Sequence, residues 1–107
     1  MRGDPAVREL FRLGQRIERE GFILLWVRRS GRRATGFMAG RRLGGSVVRN
    51  RGRRRLREAF RREQARLPGE GLRLCFVARR GCLTQGFSVL RAGMAAALDG
   101  VAAQVGL

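Results

Sequence analysis

Val48-Arg49-Asn50-Arg51-Gly52-Arg53-Arg54-Arg55-Leu56-Arg57-Glu58-Ala59-Phe60-Arg61-Arg62 is the stretch that decides how this chain is read. Placed at helical intervals, Val48, Gly52, Leu56, Ala59 and Phe60 gather within roughly 120°. That stripe suits docking on a sheet. Asn50, Arg54, Arg57 and Arg61 fall at the opposite pole, with Arg49 and Arg53 on one flank and Arg51, Arg55 and Arg62 on the other. The helical pattern runs from Val47 to about Leu67. Including the approach Arg41-Arg42, positions 41–62 hold ten arginines and a single acid, Glu58. A solvated helix face interleaves its signs, each pair contributing roughly 0.2–0.5 kcal/mol. Here like charges three and four apart repel by a similar amount, which argues for a polyanion against this face. Gly44-Gly45, just before the helix, permits positive φ or close approach, and free N–H groups at the helix start could meet a phosphate. An ordinary pair of loop glycines reads equally well.

Outward from this helix, Asp4-Pro5 reads as an N-cap with proline at the first helical position. Val7, Leu10 and Phe11 follow at near-helical spacing, and Gly14 closes the helix. Phe22-Ile23-Leu24-Leu25-Trp26-Val27 is a compact apolar run of strand type. Ser30-Gly31 marks a turn into a second strand, Arg32 to Ala39, as a hairpin. A short strand around Gln15 to Glu20 is weakly signalled. Leu72, Leu74, Phe76 and Ala78 alternate with Arg73, Cys75, Val77 and Arg79, as in a strand flanked on both sides. Thr84 reads as the cap of a last helix, with Phe87, Leu90, Met94, Ala97, Leu98 and Val101 as its stripe. The order is α-β-β-β-α-β-α, an α+β sandwich in one domain over residues 1–107, without repeats or linker.

The 107 residues suit one core, and 44% hydrophobic content is enough to fold it. The net charge is +16, from 24 basic residues, every one arginine, and 8 acids. Such a field repels itself in the compact state and calls for a compensating partner. Guanidinium forks match phosphate oxygens in pairs and stack on bases, which points to nucleic acid. Cys75, in a strand, and Cys82, in a loop, are too few for a disulfide scaffold and read as reduced thiols. The N-terminus has no apolar segment of signal-peptide type, and the longest apolar run, Phe22 to Val27, is far short of a membrane span. The expectation is a soluble, cytoplasmic protein with no membrane role.

Catalytic groups are scarce. There is no histidine, lysine or tyrosine, so the usual acid–base and nucleophile-activating side chains are missing. Glu18 and Glu20 could share a strand face and hold a metal, although a charged surface strand is the plainer account. Gly36 to Gly45 lacks the lysine of a phosphate-binding loop.

Val48-Arg49-Asn50-Arg51 followed by Arg53 to Phe60 resembles the RNR signature of the bacterial ribonuclease P protein family. Ahead of it, Gly36-Phe37-Met38-Ala39-Gly40-Arg41-Arg42 looks like that family's glycine-containing strand ending in basic residues. Leu10-Phe11 through Gly14, Phe22 to Val27 and Phe76 to Arg80 extend the likeness, in order, over roughly residues 7 to 98. The resemblance implies an α+β domain with a left-handed βαβ crossover, as in the second domain of ribosomal protein S5. It implies binding to ribonuclease P RNA and to precursor tRNA, 1:1 with the RNA, in an endonuclease that removes the 5′ leader. Catalysis is expected from the RNA with Mg2+, with no catalytic residue in the protein. Arg41, Arg42, Arg49, Asn50, Arg51, Arg53, Arg54, Arg57 and Arg61 would face RNA. Phe11, Phe22 and Trp26 would line a leader-binding cleft, although Phe22 and Trp26 read equally well as core. Gly52 stands where the family usually carries a branched apolar residue, a change expected to loosen the helix by up to about 1 kcal/mol. Val7, Leu25 and Gly45 also depart from the pattern. The alternative is a ribosomal or RNA-chaperone-type protein with no processing role.

Overall fold

The computed structural model describes residues 5–106; Asp4, the expected cap of the first helix, lies outside them. Helix α1 (Pro5–Leu13) leads into strands β1 (Gln15–Glu18), β2 (Phe22–Arg32) and β3 (Ala34–Met38). A 3-10 turn at Arg41–Leu43 precedes α2 (Ser46–Glu63), and a second one, Gln64–Arg66, follows it. Strand β4 (Glu70–Ala78), the single turn α3 (Gly81–Thr84) and α4 (Phe87–Gln104) complete an α+β domain with one mixed sheet.

The sheet order is β1-β2-β4-β3. β4 is antiparallel to β2 and parallel to β3, so α2 is the crossover from β3 to β4. This corrects the expected hairpin between β2 and β3. The chain does not reverse at Ser30-Gly31; β2 runs on to Arg32 through an irregularity, with Gly31 at φ +94°. Both edges of β2 are already taken, by β1 and β4, which leaves β3 to pair beyond β4. Arg33 carries the chain across. Its amide bonds to Gly69 O, and its guanidinium donates to the carbonyls of Gln64, Leu67 and Pro68 and to the Gln64 side chain. The same guanidinium lies over the Phe60 ring. One side chain thus gathers three carbonyls of the segment that joins α2 to β4.

Strand alternation separates two layers. Phe22, Leu24 and Trp26 of β2, with Leu72, Leu74 and Phe76 of β4, face α2 and α4 and pack with Leu56, Ala59, Phe60, Leu90, Met94 and Leu98. Phe22, Phe37 and Phe60 surround Phe76 at centroid distances of 5.3, 5.4 and 5.5 Å, within the range of favourable aromatic pairs. The other face is thinly covered. Among the described side chains of α1, only Leu10 is buried there, on Leu25 and Cys75, with Ile23, Val27 and Val77 partly covered. Glu9 ties α1 down through Arg29 at 3.0 Å and, more loosely, Arg73 at 3.9 Å.

Two smaller expectations are revised. Thr84 ends α3 instead of capping the last helix, whose N-cap is Gly86 in an extended conformation. Cys82 lies in α3 and not in a loop, and it is fully buried. No helix among the described residues is long and apolar enough to cross a membrane.

Candidate nucleic-acid interface

The arginines of α2 separate into three groups by what they touch. Arg61 and Arg62 converge on Glu58, at 2.6 and 2.9 Å. Their hydrogen bonds hold the Glu58 carboxyl down at about 2, so this small network stays ionised in any neutral solution. Arg55 turns inward, donating to Cys82 O at 2.8 Å and to Gln85 O at 2.6 Å. The rest are left for solvent or a ligand. Among the described residues, no arginine from Arg41 to Arg57 is ion-paired. Asn50 accepts a hydrogen bond from Arg53, and Arg57 lies over the Phe37 ring at 5.4 Å. Arg49 has its Nε buried with no acceptor among the described residues.

The angular reading of α2 therefore holds for Gly52, Leu56, Ala59 and Phe60, all buried. Val48 is only at the margin, 37% exposed and set against Gly44. Gly44 takes the positive φ foreseen for the glycine pair, at +146°; Gly45 does not, and it caps α2 with no side-chain hydrogen bond. Gly52 is no loose spot. A Cβ there would meet Leu43 Cδ2 at 3.0 Å and Cys82 Sγ at 3.2 Å. The volume that a branched residue would fill is taken by two neighbours instead, which offsets the cost in helix propensity.

At the C-terminal ends of β3 and β4 a concavity opens beside α2. Arg41 and Arg42 form one lip, Arg79 and Arg80 the other, and Val77 and Ala78 the floor. Arg79 is partly held back by Arg19 O and Glu18. From sequence, Arg79 and Arg80 stand out only as the end of the stretch Phe76 to Arg80, and not among the RNA-facing residues.

Phe11 is 54% exposed on α1 and lines a surface depression with Arg8 and Arg12, a ring flanked by guanidinium groups. Phe22 and Trp26 are different. Both belong to the core, at 0% and 3% exposure. Strand register explains it: positions 22, 24 and 26 point at α2 and α4, away from α1, while 23, 25 and 27 point toward it. The assignment of Phe22 and Trp26 to a leader cleft is therefore withdrawn; Ile23, Val27 and Val77 occupy the face they were meant to line.

Among the described residues, the acidic side chains do not gather into a divalent metal site. Glu18 pairs with Arg16 and Arg79, Glu20 accepts from Gln85, Glu63 lies between Arg66 and Arg91, and Asp99 binds Arg66. No group of three metal-ligating side chains comes together among the described residues. Cys75 and Cys82 are free and buried. Burial pushes the Cys75 thiol up to about 11 and raises that of Cys82, which leaves both as poor nucleophiles at neutral pH.

This fold and surface define a class: arginine-rich α+β domains with a mixed sheet and a cationic crossover helix whose arginines from Arg49 to Arg57 have no carboxylate partner among the described residues. A ribonuclease P family model matches residues 2–101. The ribonuclease P protein component of Symbiobacterium thermophilum is 48% identical over 56 residues, which is 52% of this chain and 48% of the relative. That alignment spans about half of the relative's length. The ribonuclease P protein of Thermotoga maritima superposes with a TM-score of 0.76 over 88% of this chain and 89% of its own, at 22% identity. That of Staphylococcus aureus gives 0.76 over 94% and 93%, at 14% identity. At these identities the two structures speak for the fold. The chain belongs to the ribonuclease P protein family.

Proposed function

We propose that the chain is the protein subunit of ribonuclease P, acting in the cytoplasm, where it binds the catalytic RNA 1:1 and helps to remove the 5′ leader of precursor tRNA. The observation that carries this reading is the run of arginines from Arg41 to Arg57, in a member of this family, without one carboxylate partner among the described residues. Arg41, Arg42, Arg49, Arg51, Arg53, Arg54 and Arg57, with Asn50, form the RNA-facing set. Arg61 plays a lesser part, because Glu58 competes for it. Mg2+ and the hydrolytic chemistry belong to the RNA in this reading, since no three metal-ligating side chains come together among the described residues and Glu18, Glu20, Glu58, Glu63 and Asp99 are engaged by the protein's own side chains. The protein's part is to neutralise phosphates, hold the RNA in register and grip the unpaired leader.

The leader fits the thinly covered face of the sheet. Phe11 offers a ring for base stacking there, beside Arg8 and Arg12, and the four-arginine concavity lies at the C-terminal end of β4. Adding the purified chain to its cognate ribonuclease P RNA and precursor tRNA at low magnesium is expected to enhance 5′ processing. A folded chain that gives no enhancement would overturn the proposal. Phe11→Ala removes an exposed ring and should leave the fold and the affinity for the catalytic RNA unchanged. It should weaken binding of leader-bearing substrate by the loss of one stacked base, roughly 1–3 kcal/mol. Unchanged leader dependence in the folded variant would sink the placement of the leader.

A further inference from the structure

One short stretch of α2 seats both arginine-bearing corners of the concavity. Leu43 closes the turn that carries Arg41 and Arg42, and it packs where a side chain at Gly52 would stand. Cys82 packs against the same position and belongs to α3, whose Cys82 and Leu83 amides bond back to the carbonyls of Arg79 and Arg80. Arg55, nearly one turn along from Gly52, reaches the same element, with Nε on Cys82 O and Nη2 on Gln85 O. A single helical turn such as α3 has little stability of its own, so its place depends on these contacts.

We infer that Gly52 and Arg55 are positioning residues that set the gap between the Arg41–Arg42 lip and the Arg79–Arg80 lip, so that a single-stranded phosphate backbone is gripped from both sides. Gly52 lets Leu43 and Cys82 approach the helix axis together; a branched side chain there would drive the two corners apart. Arg55 fixes the second corner with a planar fork that spans two carbonyls, which the point charge of a lysine cannot reproduce. Arg55 itself is turned away from the ligand and is no phosphate contact. The inference rests on the proposed leader-binding reading and deepens it.

The test uses the free full-length chain and a fluorescein-labelled oligouridylate, with the reconstituted holoenzyme as a second arm. Arg55→Met and Arg55→Lys should each weaken oligouridylate binding about tenfold, the size of one lost charge-assisted contact. Arg55→Met combined with Arg80→Met should lose little beyond Arg80→Met alone, because both act through one corner. The log–log salt slope for binding to the catalytic RNA should stay unchanged in Arg55→Met, since no phosphate contact is removed. In the holoenzyme, KM for leader-bearing precursor tRNA should rise while kcat holds. Gly52→Ala, a milder change that keeps every charge, should show the same KM-selective loss. Wild-type-like binding by Arg55→Lys, strict additivity with Arg80→Met, or a slope lowered by about one would each overturn the inference. If the wild-type chain fails to enhance processing, the functional reading falls, while the oligouridylate cycle still decides the positioning role by itself.

Discussion

Trp26→Ala is expected to cost about 3–5 kcal/mol of folding stability, the range for deleting a large buried aromatic, and to show as a large fall in Tm. Trp26 is 3% exposed and lies on the sheet face that meets α2 and α4. The loss would remove much of the margin of a domain whose total stability is on the order of 5–15 kcal/mol. A residue that served leader binding from an open cleft would behave in the opposite way, with stability within about 0.5 kcal/mol of wild type and a selective loss of leader affinity. Trp26→Phe separates the two readings further. It keeps an aromatic in the core, so leader dependence should survive with a modest drop in stability. Thermal unfolding of the two variants, read beside leader-dependent kinetics, checks both halves. A stable Trp26→Ala protein with lost leader dependence would restore the withdrawn assignment.

Phe22 and Trp26, which read equally well as cleft or core and prove to be core, mark where local pattern loses its hold. Period-two alternation separates Phe22, Leu24 and Trp26 from Ile23, Leu25 and Val27. It cannot say which set meets α1, because both are apolar and the choice depends on where a helix far along the chain comes to rest. The pairing of β3 failed for the same reason. Ser30-Gly31 is a sound local turn signal, yet β2 offers no free edge once β1 and β4 have paired with it. By contrast, the faces of α2 were readable by angle, because helical period is local and Leu56, Ala59 and Phe60 repeat within one element. Gly52 shows both sides of this. Propensity alone read it as a weakness, whereas the Leu43 and Cys82 side chains that fill its place come from the preceding turn and from α3. Arg55 could not be told from its neighbours by charge, since only the fold brings the Cys82 and Gln85 carbonyls within its reach.

Replacing Arg53 and Arg57 together by alanine is expected to weaken binding to the catalytic RNA about a hundredfold or more, taking two charge-assisted contacts to phosphate. The log–log salt slope should flatten by roughly two units, close to one per phosphate contact released. Folding should change little. Among the described residues Arg53 forms no ion pair and its hydrogen bond goes to the exposed Asn50 side chain, and Arg57 contributes a cation–π contact with Phe37, worth about 0.5–1 kcal/mol at an exposed site. Relief of like-charge repulsion along the helix offsets part of that. The salt slope is the decisive quantity, because a variant damaged in its fold would lose affinity without a defined change in the number of counterions released. Arg61→Ala gives the internal contrast. Its guanidinium is held by Glu58 at 2.6 Å, so an RNA phosphate would have to displace an existing partner, and the slope should move by well under one unit. A double variant whose slope matches wild type while the protein remains folded would mean that the cationic face of α2 is not where the RNA lies. An equal effect from Arg61→Ala would mean that the helix acts as a diffuse charge, with no set of contacts chosen by what the fold leaves unpaired.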